Sequence, residues 1–79
     1  MITFYNWLIN EKAMRNRSAK DVMSRIKRVE KIISSPGIDE STLEMLQSTD
    51  SYMNLSIFIR SQLKRAVTLY LEYRGQEKQ

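Results

Sequence analysis

RSAKDVMSRIKRVEKII, residues 17–33, decides the fold. Ala19, Val22, Ile26, Val29 and Ile33 recur at steps of three and four, with Met23 alongside. That spacing makes one side of a helix apolar for about four turns, and an apolar stripe of this length needs other elements to cover it. Ser18 is the expected N-cap, and Asp21 three residues later has a capping-box-like placement that also suits the helix dipole. Six of the seventeen residues are Lys or Arg, opposed by Asp21 and Glu30 alone. Lys20, Lys27 and Lys31 line the face opposite the stripe, and Arg25 and Arg28 flank it.

Working outward, three further helices are expected. Thr3 can cap a first helix over about 4–13, in which Phe4, Trp7 and Leu8 share a face and Tyr5 and Ile9 form a second apolar edge. Pro36 cannot continue the basic helix and Gly37 can take positive φ, so SSPGID, residues 34–39, reads as its end and as a link to the next helix. A short helix is expected over about 40–48, with Leu43 and Leu46 inward. Its start is ambiguous, because Ser41 and Glu44 form a second capping box. STDSYMN, residues 48–54, reads as a loop. A last helix is expected from Leu55 to Tyr73, its stripe formed by Leu55, Ile59, Leu63, Ala66, Tyr70 and Tyr73 and widened by Val67 and Leu71. Arg60, Ser61, Lys64, Arg65 and Thr68 take its polar side. Gly75 reads as a helix stop and 74–79 as a frayed tail. Phe58 is assigned to the core with the other large apolar side chains, whereas Tyr5, Tyr52 and Tyr73 are left free to stack on a base or sugar.

The 79 residues suit one small helical domain of marginal stability. Only two Gly and one Pro punctuate the chain, and no strand pattern or internal repeat occurs. The charge is unevenly laid out. Residues 12–31 hold eight Lys or Arg against two acids, residues 32–57 hold four acids and no base, and residues 58–79 hold five bases against two acids. A basic, acidic, basic order points to an anionic partner more strongly than the net charge of +4 does.

Catalysis is not expected. There is no Cys, hence no disulfide and no thiolate metal site, and no His, hence neither the commonest metal ligand nor the commonest general base. No phosphate-binding glycine loop or metalloprotease motif occurs. Asp39, Glu40 and Glu44 are better read as first-turn helix acids than as a catalytic pair. No cofactor, metal or small-molecule substrate is therefore expected. MITFYNWLINEK, residues 1–12, lacks a basic leader and a small-residue cleavage site, and no run approaches the roughly 20 apolar residues of a membrane span, so a cytoplasmic protein without membrane contact is expected.

The order of motifs resembles the N-terminal core-binding, SAM-like domain of phage integrases and other tyrosine recombinases. FYNWL (4–8) matches its aromatic first helix and RSAKDVMSRIKRV (17–29) its Ser-started second helix. GIDESTLEML (37–46) matches a short helix introduced by Ile, and LKRAVTLYLEY (63–73) its closing helix. The resemblance spans almost the whole chain, although Val22 stands where that family often has Tyr. It implies a small orthogonal bundle of four helices that grips DNA, with contacts from the second and last helices. Here those helices carry Lys20, Arg25, Lys27, Arg28 and Lys31, and Arg60, Lys64 and Arg65. The recombinase catalytic set needs His and a separate domain, so no strand cleavage is expected.

The expected fold is thus all-α, a four-helix SAM-like bundle. The expected function is phosphate-directed binding of duplex DNA through Arg15, Arg17, Lys20, Arg25, Lys27, Arg28, Lys31, Arg60, Lys64 and Arg65, in an accessory or regulatory protein of a phage or mobile element. Lys12 extends this basic patch before the helix. The alternative is a small protein-binding or inhibitor module that uses the acidic segment 32–57 or exposed aromatics. The placement of Lys27 relative to Lys64, and any exposed apolar patch, separates the two.

Overall fold

A computed structural model describes residues 3–35 and 37–77 of the chain. These residues are helical with no strand: α1 (Phe4–Asn10), α2 (Asn16–Ile33), α3 (Thr42–Gln47), α4 (Asp50–Met53) and α5 (Ile57–Glu77). The all-helical bundle is as expected, and the segment read as a loop, 48–54, adds one further turn, α4.

Several helix ends have a local reason, but α3 starts at Thr42 without the expected Ser41–Glu44 capping box. Ser41 makes no side-chain cap bond, its hydroxyl donates to Asp39, and Asp39 and Glu40 precede the first turn. Thr3 caps α1, its hydroxyl accepting from the Asn6 N–H at 3.2 Å. Thr49 does the same for α4, accepting from the Tyr52 N–H at 3.3 Å. The start of α2 differs from expectation: the helix begins at Asn16 and Arg15 holds the cap position without a side-chain bond, so Ser18 lies inside the first turn. The reason is Ala13, whose left-handed backbone (φ 53°) turns the chain early. That turn lets the Met14 N–H reach the Leu8 carbonyl at 3.1 Å.

The end of α2 also moves. Ser34, not Gly37, is the left-handed residue, with φ 55°. The Ser35 N–H bonds back to the Glu30 carbonyl at 3.1 Å and the Ser34 N–H to that of Lys31 at 3.3 Å. This six-to-one and five-to-two pair is a Schellman ending, complete before the proline. Pro36 itself lies outside the described residues, as do Lys78 and Gln79 of the expected frayed tail. Beyond it Ile38 is buried, and the Arg74 guanidinium donates to the Ile38 carbonyl, so the link between α2 and α3 is pinned to α5. α5 accordingly passes through Gly75, the expected stop, to Glu77.

α5 and α2 pack most extensively on each other, and each also packs on α1 and α3. Contact on several sides explains why Leu63, Ala66, Val67, Leu69 and Tyr73 are all buried although they span far more than one narrow stripe. Leu69 falls outside the expected stripe for the same reason. Ala19, Val22, Ile26 and Val29 bury the stripe of α2 as read from the sequence. Phe4, Trp7, Tyr70 and Tyr73 form an aromatic cluster with ring centroids from 5.1 to 6.1 Å apart, which docks α1 on the second half of α5.

Two aromatic assignments are reversed. Phe58 is 72% exposed, whereas Tyr52 is only 3% exposed. Phe58 lies on nearly the same side of α5 as buried Leu69, but in the first turn of the helix, where no neighbour covers it. Tyr52 fills the core under α4, with its hydroxyl donating to the Arg60 carbonyl at 3.2 Å. Tyr52 and Tyr73 are therefore core residues and not free stacking surfaces.

Candidate nucleic-acid interface

Burial of one side of α2 fixes what its other side presents. At about 100° per residue, Lys20, Lys27 and Lys31 fall within about 40° of one another on one outward flank. Arg25 and Arg28 fall on the other flank, with Arg17 between the two groups. Arg15, Arg17, Lys20, Lys27, Arg28 and Lys31 are exposed, and Arg25 is half-buried. From Arg17 to Lys31 this face runs about 21 Å along the helix axis.

The face is not neutralised. Among the described residues the one ion pair is Lys12 Nζ to Glu72 Oε1, at 2.6 Å. Lys12 also lies 5.4 Å from the centre of the Trp7 ring. It is thus tied to α1 and α5, and the expected extension of the basic patch through Lys12 is not formed. Among the described residues no acid comes within ion-pair distance of the cations on α2, although Asp21 stands on the same face between Arg28 and Arg25.

Where α2 meets its neighbours, its two flanks open onto different depressions. Arg25 and Arg28, with Asp21 and Ser24, line a groove of about 350 Å³ against Ile59, Gln62 and Leu63 of α5, so this flank carries an acid beside its two cations. Lys27, with Glu30, borders a separate hollow of about 210 Å³ next to Phe4, Ile38 and Tyr70. Gln62 is a polar group beside Arg25 and Arg28 that the sequence did not single out. Its role as a neighbour of α2 exists only once the two helices pack.

The cations of α5 are not gathered with those of α2. Arg60 and Lys64 line a third depression, of about 560 Å³, with Tyr52, Met53 and Ile57. On α5, Lys64 is about 200° around from Gln62, so it points to the α3–α4 side while Gln62 points to α2. Lys27 and Lys64 share no depression, so the expected basic face spanning both long helices is not formed, and by this measure the protein-binding alternative gains. Arg65 is exposed, about 100° further around α5 than Lys64. Arg60 is half-buried: its Nε is buried without a hydrogen-bond partner, and its Nη1 reaches only the Met53 sulfur, at 3.9 Å.

Among the described residues, no helix is long and apolar enough to cross a membrane. No protein-family model, curated protein or solved structure matches the chain.

Proposed function

We propose that this chain is a non-catalytic binder of duplex DNA that uses the outward face of α2: Arg15, Arg17, Lys20, Arg25, Lys27, Arg28 and Lys31. The observation that carries the reading is that six of these cations lie on the outward side of a single helix, with Arg15 at its cap, and that among the described residues none is within ion-pair distance of an acid. An unpaired cation gains most from a phosphate, because it has no ion pair to break and releases a condensed counterion on contact. The two flanks suit different contacts. Arg25 and Arg28 offer forked donors beside Gln62, while Lys20, Lys27 and Lys31 supply point charges. Such contacts fix position on the duplex and do not select sequence. The motif-order resemblance to the core-binding domain of tyrosine recombinases supports the same reading. We extend it to an accessory or regulatory protein of a phage or mobile element.

A salt titration of duplex binding tests this. With four to six cations engaged, log K should fall against log salt with a slope of about −4 to −5. Lys27→Ala and Arg28→Ala should each weaken binding to every duplex tried and make the slope shallower by about one. Absence of binding near 50 mM salt, or binding indifferent to salt, rejects the proposal.

A further inference from the structure

The depression between α3, α4 and α5 combines features that the DNA-binding reading does not use. Met53 and Ile57 line it and are 51% and 74% exposed. Phe58, on the same first turn of α5, is also exposed. Single exposed apolar residues are ordinary on a surface, but Met53 and Ile57 lie together in one groove, and Phe58 stands about 100° around α5 from Ile57, outside its lining. Its charged lining consists of Arg60 and Lys64, neither of which has an ion-pair partner among the described residues. Arg60 stands out, since its guanidinium is half-sunk against a thioether with Nε left unbonded. The Arg60 Nη1 has only a weak sulfur acceptor, so an incoming carboxylate would give this guanidinium a stronger one.

We propose that this groove docks an acidic amphipathic helix of a partner protein. Charge complementarity selects the occupant: the groove offers two cations and no anion, beside an apolar floor. Spacing selects its form. Arg60 and Lys64 are four residues apart on α5 and therefore about one turn apart. Two carboxylates at i and i+4 on an incoming helix repeat that distance. An apolar side chain between them, on the same face, would cover Met53 and Ile57. Methionine is well suited to such a floor because its unbranched thioether adapts to different shapes. A small carboxylate ligand fits less well, since it would leave Met53 and Ile57 largely in water.

Anisotropy of a fluorescein-labelled model peptide tests the docking. The probe is a helix of about 16 residues with Leu on one face and Glu pairs at i, i+4 beside it, compared with the same peptide carrying Gln for Glu. The intact chain should bind the acidic peptide saturably, at least about tenfold more tightly than the Gln peptide. Lys64→Gln and Ile57→Ser should each weaken it about tenfold. Both residues are exposed, so helicity by circular dichroism should be unchanged in the variants. Lys27→Ala, at a different depression, should leave peptide binding intact. Equal affinity for the two peptides, no saturable binding, or indifference to both variants overturns the proposal. Loss of duplex-DNA affinity in Lys64→Gln equal to that in Arg28→Ala also overturns it and assigns the groove to nucleic acid. A concentration-dependent dimer that Ile57→Ser abolishes overturns it in favour of a second copy of the chain.

Discussion

Ala13 and Ser34 each hold a left-handed backbone without being glycine, and each bounds α2. For an L-residue with a Cβ, that conformation costs about 1–2 kcal/mol, offset here by the capping bonds it permits. Ser34→Gly keeps the Schellman bonds and removes the crowding, so it should raise stability by about 0.5–1 kcal/mol in denaturant unfolding after the extra entropy of unfolded glycine is subtracted. A fall in stability would mean that the serine side chain makes a contribution of its own. Asp39 gives a second test at this scale. The Ser41 hydroxyl and the Ser41 N–H both donate to its carboxylate, at 2.7 and 2.9 Å, and hold its pKa below the ordinary 3.8. A folded pKa lower than the unfolded one stabilises the fold above the ordinary value and is lost as pH falls through the folded value. Asp39→Asn should therefore narrow the drop in Tm on acidification below about pH 4, a difference visible in melts of the two proteins side by side.

At the scale of elements, the caps separate what composition proposes from what the chain does. Thr3→Ala removes the acceptor for the Asn6 N–H and should cost about 1 kcal/mol. Ser18→Ala should be neutral or slightly stabilising, because Ser18 sits two residues inside α2, where alanine is the better helix former. Equal losses from the two substitutions would restore Ser18 as the cap. Ser18 looks like a cap because serine before an apolar run, with an acid three residues on, normally is one. The early turn at Ala13 overrode that preference, and no local pattern marks an alanine for positive φ. α2 was otherwise legible, since its whole stripe faces the bundle. α5 was legible as a helix but not in its faces: three packed neighbours bury Leu69, while Phe58, on the same side of the wheel but at the helix start, stays exposed.

For the whole molecule, Leu63 is the place to test the packing. It is 1% exposed, on the helix that packs most extensively on α2. Leu63→Ala should cost about 2–4 kcal/mol, a large part of the stability of so small a chain. Ile26→Ala, on the α2 side of the same core, should fall in a similar range. Urea midpoints that shift by less than about 0.5 kcal/mol in both variants would contradict this arrangement of the core.

The amino-acid order by itself determined the helical class, the buried stripe of α2 and the unbalanced charge along the chain, because 3.6-residue periodicity and local charge are properties of neighbouring residues. Only the tertiary structure decided which cations stand together. Packing turned Arg25 and Arg28 towards Gln62, tied Lys12 to Glu72, and set Arg60 and Lys64 in a groove with Met53 and Ile57, apart from α2. It also exchanged the fates of Tyr52 and Phe58. Periodicity says which residues share a side of a helix. What that side meets depends on helices distant in sequence, and their positions follow from burying the most apolar surface of the whole chain at once.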